Sequence, residues 1–426
     1  MGDMRVICVK YIVTMMSEPI VDGALVFDEK IIDIGSRNTI LEKYKTYPII
    51  DLQNHVLMPA LINAHTHIAL TNARGFMPNK EFLDWLIALI PWMRKQSDES
   101  FFESSMNGIR EMFRAGITTI GDSFFNFEPM HAALKNDFRC VYFYEVFGVS
   151  ALFQFTAVNK YRRALFKGSR MQSNKTRLGI SPHAPYTVTQ QVLKFASEFS
   201  RQKNLRVSMH VAETAGEIEF LHSTKGRFRR QFEPSGRRIP VTNLSPLEYI
   251  DSFGLLNDRF IAVHGVHLTD SEFVLLAGRG GHLASCPSSN RNLKTGQLDL
   301  NKPINAGINI CIGTDSPASC DSIDLFSELR FALRIENRDE INIKPFDALS
   351  MITGNPARAL GFADEVGTIE IGKSSDIIAL KPPQDSRGWG NNVEEIILRN
   401  SKADDVDLTI ASGKIRHSRI DDIPAA

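Results

Sequence analysis

The sequence has little of what marks a secreted, membrane or nucleic-acid-binding protein. Its five cysteines, Cys8, Cys140, Cys286, Cys311 and Cys320, are odd in number, scattered, and form no C-x-x-C pair. Such thiols read as reduced and mostly buried, which favours the cytoplasm over an oxidising compartment. There is no surplus of either charge, with 49 Lys+Arg against 49 Asp+Glu, so a polyanionic partner such as nucleic acid is not expected. No stretch reaches the ~18 uninterrupted apolar residues of a membrane span. Met1–Val6 fits neither a signal peptide nor a myristoylation site. H-E-x-x-H, G-x-S-x-G and G-x-x-x-x-G-K-[ST] are missing, as is the H-x-E with P-C-x-x-C of cytidine-type deaminases. A soluble cytoplasmic enzyme acting on a small molecule is the expectation that survives these exclusions.

What is present is an ordinary globular composition, 43% hydrophobic and 23% charged over 426 residues. That is long enough for a large barrel and a small accessory domain. Residues 1–58 read as short strands, Arg5–Thr14, Gly23–Asp28, Lys30–Ile34 and Ile49–Leu57, punctuated by turn formers. Residues 361–426 have the same texture: Gly367–Gly372 alternates like a strand, Asp376–Leu380 follows, and Val406–Ile415 reads as a hairpin closing at Ser412-Gly413. Neither end can bury a core alone, so the two are expected to pair as one small β-sandwich.

Residues 59–360 alternate differently. Short apolar runs end in polar residues and are separated by amphipathic stretches such as Phe326–Ile335 and Pro345–Leu360. The runs are Leu57–Asn63, Ile117–Asp122, Cys140–Glu145, Leu178–His183, Arg206–His210, Phe260–His264, His282–Ser285 and Ile308–Asp315, eight in all. Eight β-then-α units predict an α/β fold of the (β/α)₈ TIM-barrel type, whose chemistry sits at the C-terminal strand ends. Those ends carry His65/His67, Asp122, Glu145, His183, His210, His264 and Asp315.

His65 and His67 lie two apart on a strand, so both rings can face one metal ion. H-x-H alone is a weak signal. With His210 ending the fifth run and Asp315 the eighth, it becomes a set of three nitrogen ligands and one hard oxygen, suited to Zn²⁺, with Fe²⁺ or Mn²⁺ as alternatives. Open positions on such an ion would bind a water and bring its pKa from ~15.7 to about 7. Glu213, three residues beyond His210, is placed to move protons near the metal without binding it; a solvated loop glutamate is the bland alternative. His264 ends the sixth run and can orient or stabilise the activated water. His55, His131, His222, His267, His282 and His417 read as structural or surface groups.

With these residues in place, the sequence resembles the amidohydrolase superfamily. The matching blocks, in order, are Met58–His67, Met209–Thr214, Val263–His267, Cys286-Pro287-Ser288-Ser289-Asn290, Gly313–Ser316 and Gly367–Asp376. The resemblance implies a mononuclear metal site with Glu213 and His264 as acid/base groups, and relatives commonly form a homodimer. No lysine ends the fourth run, where binuclear members carry a bridging group. The subgroup it resembles comprises deaminases of adenine-type nucleosides and the related triazine hydrolases.

Two branches compete within that subgroup. His65–Gly75 and Ser181–Tyr186 are similar to S-adenosylhomocysteine and methylthioadenosine deaminases, yet the ribose-binding glutamate of those enzymes is replaced near Pro91-Trp92-Met93-Arg94-Lys95. Tyr142–Gly148, Lys225–Phe228 and Ser289–Leu300 are similar to aminodeoxyfutalosine deaminases of the alternative menaquinone pathway, while the segment after the H-x-H and Ser316–Ser319 depart from them. The resemblance thus implies loss of ammonia from C6 of an aminopurine, with aminodeoxyfutalosine weighed slightly ahead. Glu213 would protonate N1, and Asp315 and His264 would take up the water proton. His183 and Glu145 are substrate-binding candidates, the first towards a ring nitrogen and the second towards sugar hydroxyls. Arg291 could pair with a substrate carboxylate. Lys225, Arg227, Arg229, Arg230, Arg237 and Arg238 could steer an anion, although charge runs are usually solvated faces. Trp85–Trp92 reads as a helix of core spacing. A triazine or other heterocycle hydrolase would use the same site. A non-catalytic binding protein would be expected to have lost a ligand or the proton shuttle, and this chain keeps them all.

Overall fold

The computed structural model describes residues 4–421 and 423, apart from 78, 148–153, 234–239, 336, 338–339, 385–387 and 391. Two compact units emerge: Met1–Asn63 with Arg110–Thr119 and Ile323–Ala426, and Ala64–Ile109 with Ile120–Ser322.

In the first unit, both chain ends build one mixed sheet. Its strands are β1 (Arg5–Ile12), β2 (Ile20–Phe27), β3 (Ile31–Ser36), β4 (Ile49–Pro59), β13 (Ile377–Leu380), β14 (Val406–Ala411) and β15 (Lys414–Ser418). They lie in the order β15-β14-β13-β4-β1-β2-β3. Antiparallel pairing of β13 with β4 joins the two ends, Ile377 opposite Pro59. Alternation along β1 sends Ile7 and Val9 to one face and Val6 and Cys8 to the other. The first face belongs to a single apolar cluster with side chains from all seven strands. That cluster runs across the whole sheet, from β15 at one edge to β3 at the other. The helix Arg37–Lys43 covers the opposite face through Ile40.

The β14–β15 hairpin closes at Ser412 and Gly413, both at positive φ (49° and 73°), the turn that matches strand twist. Gly367–Gly372, expected as a strand, is irregular instead: Gly367 and Gly372 take φ of 96° and 91°, and Ile369 and Gly372 donate singly to Thr14 and Ile31. The single helix expected over Pro345–Leu360 is two, Pro345–Ser350 and Gly354–Leu360. Pro356 cannot donate back to Ile352, where the first helix has ended, and it sits in the first turn of the second, where its missing N–H costs nothing.

Eight further strands form the (β/α)₈ barrel. They are β5 (Leu61–Thr66), β6 (Ile117–Phe124), β7 (Arg139–Val146), β8 (Thr176–Pro182), β9 (Val207–Val211), β10 (Phe260–His264), β11 (His282–Ser285) and β12 (Asn309–Ile312), hydrogen-bonded in chain order. A parallel bridge from Thr66 to Asp315 links the first and last. β5, β6, β7, β9, β10 and β11 are buried at every position, as expected of strands covered on both faces. The first barrel strand starts at Leu61 rather than Leu57. Leu57–Pro59 complete β4, and Ala60 donates to Asp376 before Leu61 turns to Gly116.

Candidate metal centre and active site

His65 lies near the end of β5 and His67 just beyond it, His210 sits in β9, and Asp315 follows β12. One potential ligand atom from each comes within 4.8 Å of the others, and all four are buried. Gly313 permits the approach of the last strand to the first: a Cβ there would stand 2.8 Å from the His65 carbonyl oxygen. Asp315 N–H donates to that same oxygen at 3.0 Å.

The donors are oriented from behind. His67 Nδ1 lies 2.7 Å from the Ser123 carbonyl, and His210 Nδ1 lies 2.9 Å from that of His183. A carbonyl can only accept, so each Nδ1 carries the hydrogen and each Nε2 keeps its lone pair. Asp315 Oδ1 is 3.3 Å from His67 Nε2 and 3.6 Å from His65 Nε2. Burial holds His65 down at about 4 and His210 well below the usual imidazole range. His67 is drawn up to about 9, the burial effect being outweighed by Asp315, Glu145 and Asp122. The negative surroundings that favour a proton there equally favour a metal cation. Three imidazoles and one carboxylate, converging and pre-oriented, fit a single divalent ion.

Glu213 and His264 stand beside this group. Glu213 Oε1 is 3.7 Å from His264 Nε2. Burial, with Asp315 and Glu217 nearby, pushes the Glu213 carboxyl well above its ordinary value. Ala212, His264 and Asp315 all have left-handed backbone, with φ of 50°, 71° and 59°. For non-glycine residues this is strain of the kind that collects at functional sites.

A cavity of about 890 Å³ opens over these groups. His67, His210, Glu213, His264 and Asp315 line it, together with Glu145 and His183. Glu145 has one buried oxygen without a hydrogen-bond partner, and burial raises its carboxyl to about 7. His183 bonds Thr187 Oγ1 through Nδ1 at 3.0 Å and packs on Phe147. The helix Phe82–Met93 turns Phe82, Trp85, Leu86 and Leu89 towards the cavity, so its core spacing also serves the pocket wall.

Arg291 does not join them. It is exposed on the turn Pro287–Asn292, outside the cavity lining. The described part of the basic stretch is not in the cavity lining either: Arg227 pairs with Asp84 and Glu81, and buried Arg229 with Glu233. Arg237 and Arg238 lie outside the described residues. Among the described residues, the cations that do line the cavity are Arg94 and Lys160.

Three supporting residues had no role in the sequence reading. Asp122 Oδ1 accepts the Ile68 N–H at 2.7 Å and fixes the chain just after His67. Ser289 and Asn290 contact Asp315 and His264. The block Cys286–Asn290 drew attention to the last two without showing what they touch.

Comparison with known proteins agrees with this geometry. The 5'-deoxyadenosine deaminase of Methanosphaera stadtmanae is 30% identical over 409 residues, 94% of this chain and 91% of that one. The 5-methylthioadenosine/S-adenosylhomocysteine deaminase of Pyrococcus furiosus is 28% identical over 86% of this chain and 84% of its own. Among solved structures, a Xanthomonas campestris adenosine deaminase with bound zinc superposes with a TM-score of 0.84 at 25% identity, covering 99% of this chain and 94% of that one. Helicobacter pylori aminofutalosine deaminase shares the fold, with a TM-score of 0.83 at 22% identity over 96% and 99% of the two chains. The amidohydrolase family model matches residues 56–416. The chain is therefore a hydrolytic enzyme, and it belongs to the amidohydrolase family.

Proposed function

We propose that this enzyme removes the 6-amino group of a purine nucleoside with an enlarged 5′ substituent, and that 6-aminodeoxyfutalosine is its substrate. The observation that carries the deaminase reading is the meeting of Glu213 and His264, 3.7 Å apart, beside the four-donor group on the cavity wall. Hydrolytic attack on an aromatic ring carbon needs a proton donor and a proton acceptor on either side of one activated water. The names of the Methanosphaera and Pyrococcus relatives support a purine nucleoside. Residues 59–360 are assigned the hydrolase chemistry, with 1–58 and 361–426 supplying the terminal sheet.

His65, His67, His210 and Asp315 would hold the ion, zinc by the preference of this donor set, and it would supply a water of pKa about 7 in place of ~15.7. Glu213, whose environment favours the protonated carboxyl, donates to N1 and makes C6 electrophilic. His264 takes a proton from the attacking water through its free Nε2. As the C6–O bond forms and the C6–N bond breaks, the proton held by His264 passes to the amine, which leaves as ammonia, N1 keeps the proton it received, and the remaining hydroxyl proton returns to Glu213.

Support for a large 5′ substituent comes from the cavity. Its 890 Å³ lies in the upper part of the ~300–1,000 Å³ range of ligand sites. Phe82, Trp85, Leu86, Phe125, Tyr161 and Phe232 give it an apolar wall, and Arg94 and Lys160 could meet a carboxylate. A second reading, 5′-deoxyadenosine or methylthioadenosine/S-adenosylhomocysteine, is favoured by the identities to relatives so named. Ammonia release from aminodeoxyfutalosine, S-adenosylhomocysteine, methylthioadenosine and 5′-deoxyadenosine by zinc-loaded enzyme separates the two. The highest kcat/KM for aminodeoxyfutalosine is expected. A higher value for any of the others selects the second reading, and no ammonia from all four overturns both.

A further inference from the structure

We propose that Ser289 and Asn290 act as one positioning element, Ser289 setting which oxygen of Asp315 faces the metal and Asn290 setting which nitrogen of His264 handles the proton. The proposal rests on Asp315 being a ligand and His264 a proton acceptor, and it assigns both their bearings to adjacent residues of one helical turn.

The turn Pro287–Asn292 follows β11 directly, and Ser289 and Asn290 are 0% and 1% exposed. Ser289 Oγ lies 2.5 Å from Asp315 Oδ2 and 2.9 Å from Ser319 Oγ, which is itself 3.0 Å from Oδ2. A carboxylate oxygen can only accept, so the Ser289 hydroxyl donates to it. Oδ2 is thereby occupied, and Oδ1 is left turned towards His65 and His67. A ligand carboxylate held through its distal oxygen binds through one defined atom and loses less freedom when it does so.

Asn290 acts one residue later on a different strand end. Its Oδ1 lies 2.8 Å from His264 Nδ1. The amide oxygen accepts, so Nδ1 carries the hydrogen and Nε2, the atom facing Glu213, presents a lone pair. Asp315 and His264 both have strained left-handed backbone. Residues in such conformations persist where their surroundings over-determine them. Ser289 and Asn290 supply that constraint from the side away from the cavity.

The test uses full-length enzyme depleted of metal and titrated with Zn²⁺ against a competing chelator, with kcat and KM measured separately on whichever nucleoside it hydrolyses. Ser289→Ala is expected to weaken zinc binding by about 10–100-fold. Asn290→Ala should leave zinc affinity near that of the wild type and lower kcat by about 10-fold or more with little change in KM. Asn290→Asp keeps an acceptor for Nδ1–H and should recover most of that kcat. Thermal unfolding reports whether each variant is folded. Should Ser289→Ala not fold, Ser289→Cys, a weak donor of similar shape, carries the same expectation. Wild-type zinc affinity in the folded Ser289 variant, or an Asn290→Asp no faster than Asn290→Ala, overturns the proposal. The zinc titration needs no substrate, so failure of the deaminase reading would appear separately, as absence of turnover in the wild type.

Discussion

The buried carboxylate of Glu217 accepts the backbone N–H of Glu213 at 3.1 Å and that of Ala212 at 2.8 Å. Ala212 is one of the left-handed residues, so this side chain fastens the bend that turns Glu213 towards the cavity. Thr214 finishes the arrangement by capping the helix Ala215–His222 through the N–H of Glu217. A glutamate on the first turn of a helix thus fixes one just before it.

Glu217 should also leave a mark on pH stability. Burial raises its folded pKa from 4.5 to about 8. Between those values the folded chain holds a proton that the unfolded chain has released, so this contribution is complete below 4.5 and lost as pH rises through about 8. Glu217→Gln keeps an acceptor and cannot ionise. Chemical unfolding at about pH 5 and about pH 8 should therefore show a smaller loss of stability in the variant than in the wild type.

Glu213→Gln should bind zinc normally and lose about 10²–10⁴-fold in kcat. Metal analysis and ammonia release on the same sample check this. Near-normal turnover in the zinc-loaded variant would remove Glu213 from the mechanism.

Asp315→Ala should abolish both zinc retention and activity. In the wild type, chelation should lower Tm and added zinc should restore it, because an ion bound by the folded state at 100 times its Kd contributes about 2.7 kcal/mol. The Tm of Asp315→Ala should not respond to zinc, which calorimetry can show.

Arg94→Gln should raise KM for carboxylate-bearing nucleosides and leave methylthioadenosine, which has no carboxylate, nearly unchanged. Equal effects on all substrates would mean that Arg94 supports the helix Phe82–Met93 rather than binding the substrate.

Gly413→Ala should destabilise the terminal sheet. Gly413 has φ of 73°, and an added Cβ would meet the Asp28 carbonyl oxygen. Left-handed backbone alone costs an L-residue about 1–2 kcal/mol. Denaturant unfolding should show at least that loss.

The four converging donors were legible in the sequence because strand-end positions are dictated by hydrophobic runs, and residues two apart share a face. The barrel was legible for the same reason. The turn after β11 was not. Ser289 and Asn290 point inward while Arg291, one residue on, is carried about 100° around the helix to solvent. A motif can mark such a segment without saying which of its neighbours faces the site. Lys160 was hidden in another way: it is one of several cations on the helix Gln154–Ser169, and a helix pattern does not say which of them borders a cavity, whereas Arg94 stands in the Pro91–Lys95 segment that the sequence had already marked. The first barrel strand was placed early because Leu57–Pro59 are as apolar as Leu61–Ile62, and only the hydrogen bonds reveal that the chain changes sheets between them.

The pairing of Pro59 with Ile377 also imposes an order on synthesis. β4 emerges from the ribosome early, but its neighbour on that side arrives only after nearly the whole barrel has been made. Until then an apolar strand edge stands open, of the kind that recruits other chains. A chain paused anywhere between β4 and β13 carries that open edge, so slowing the ribosome just before residue 377 should reduce soluble yield more than an equal pause near residue 60, before β4 has left the ribosome.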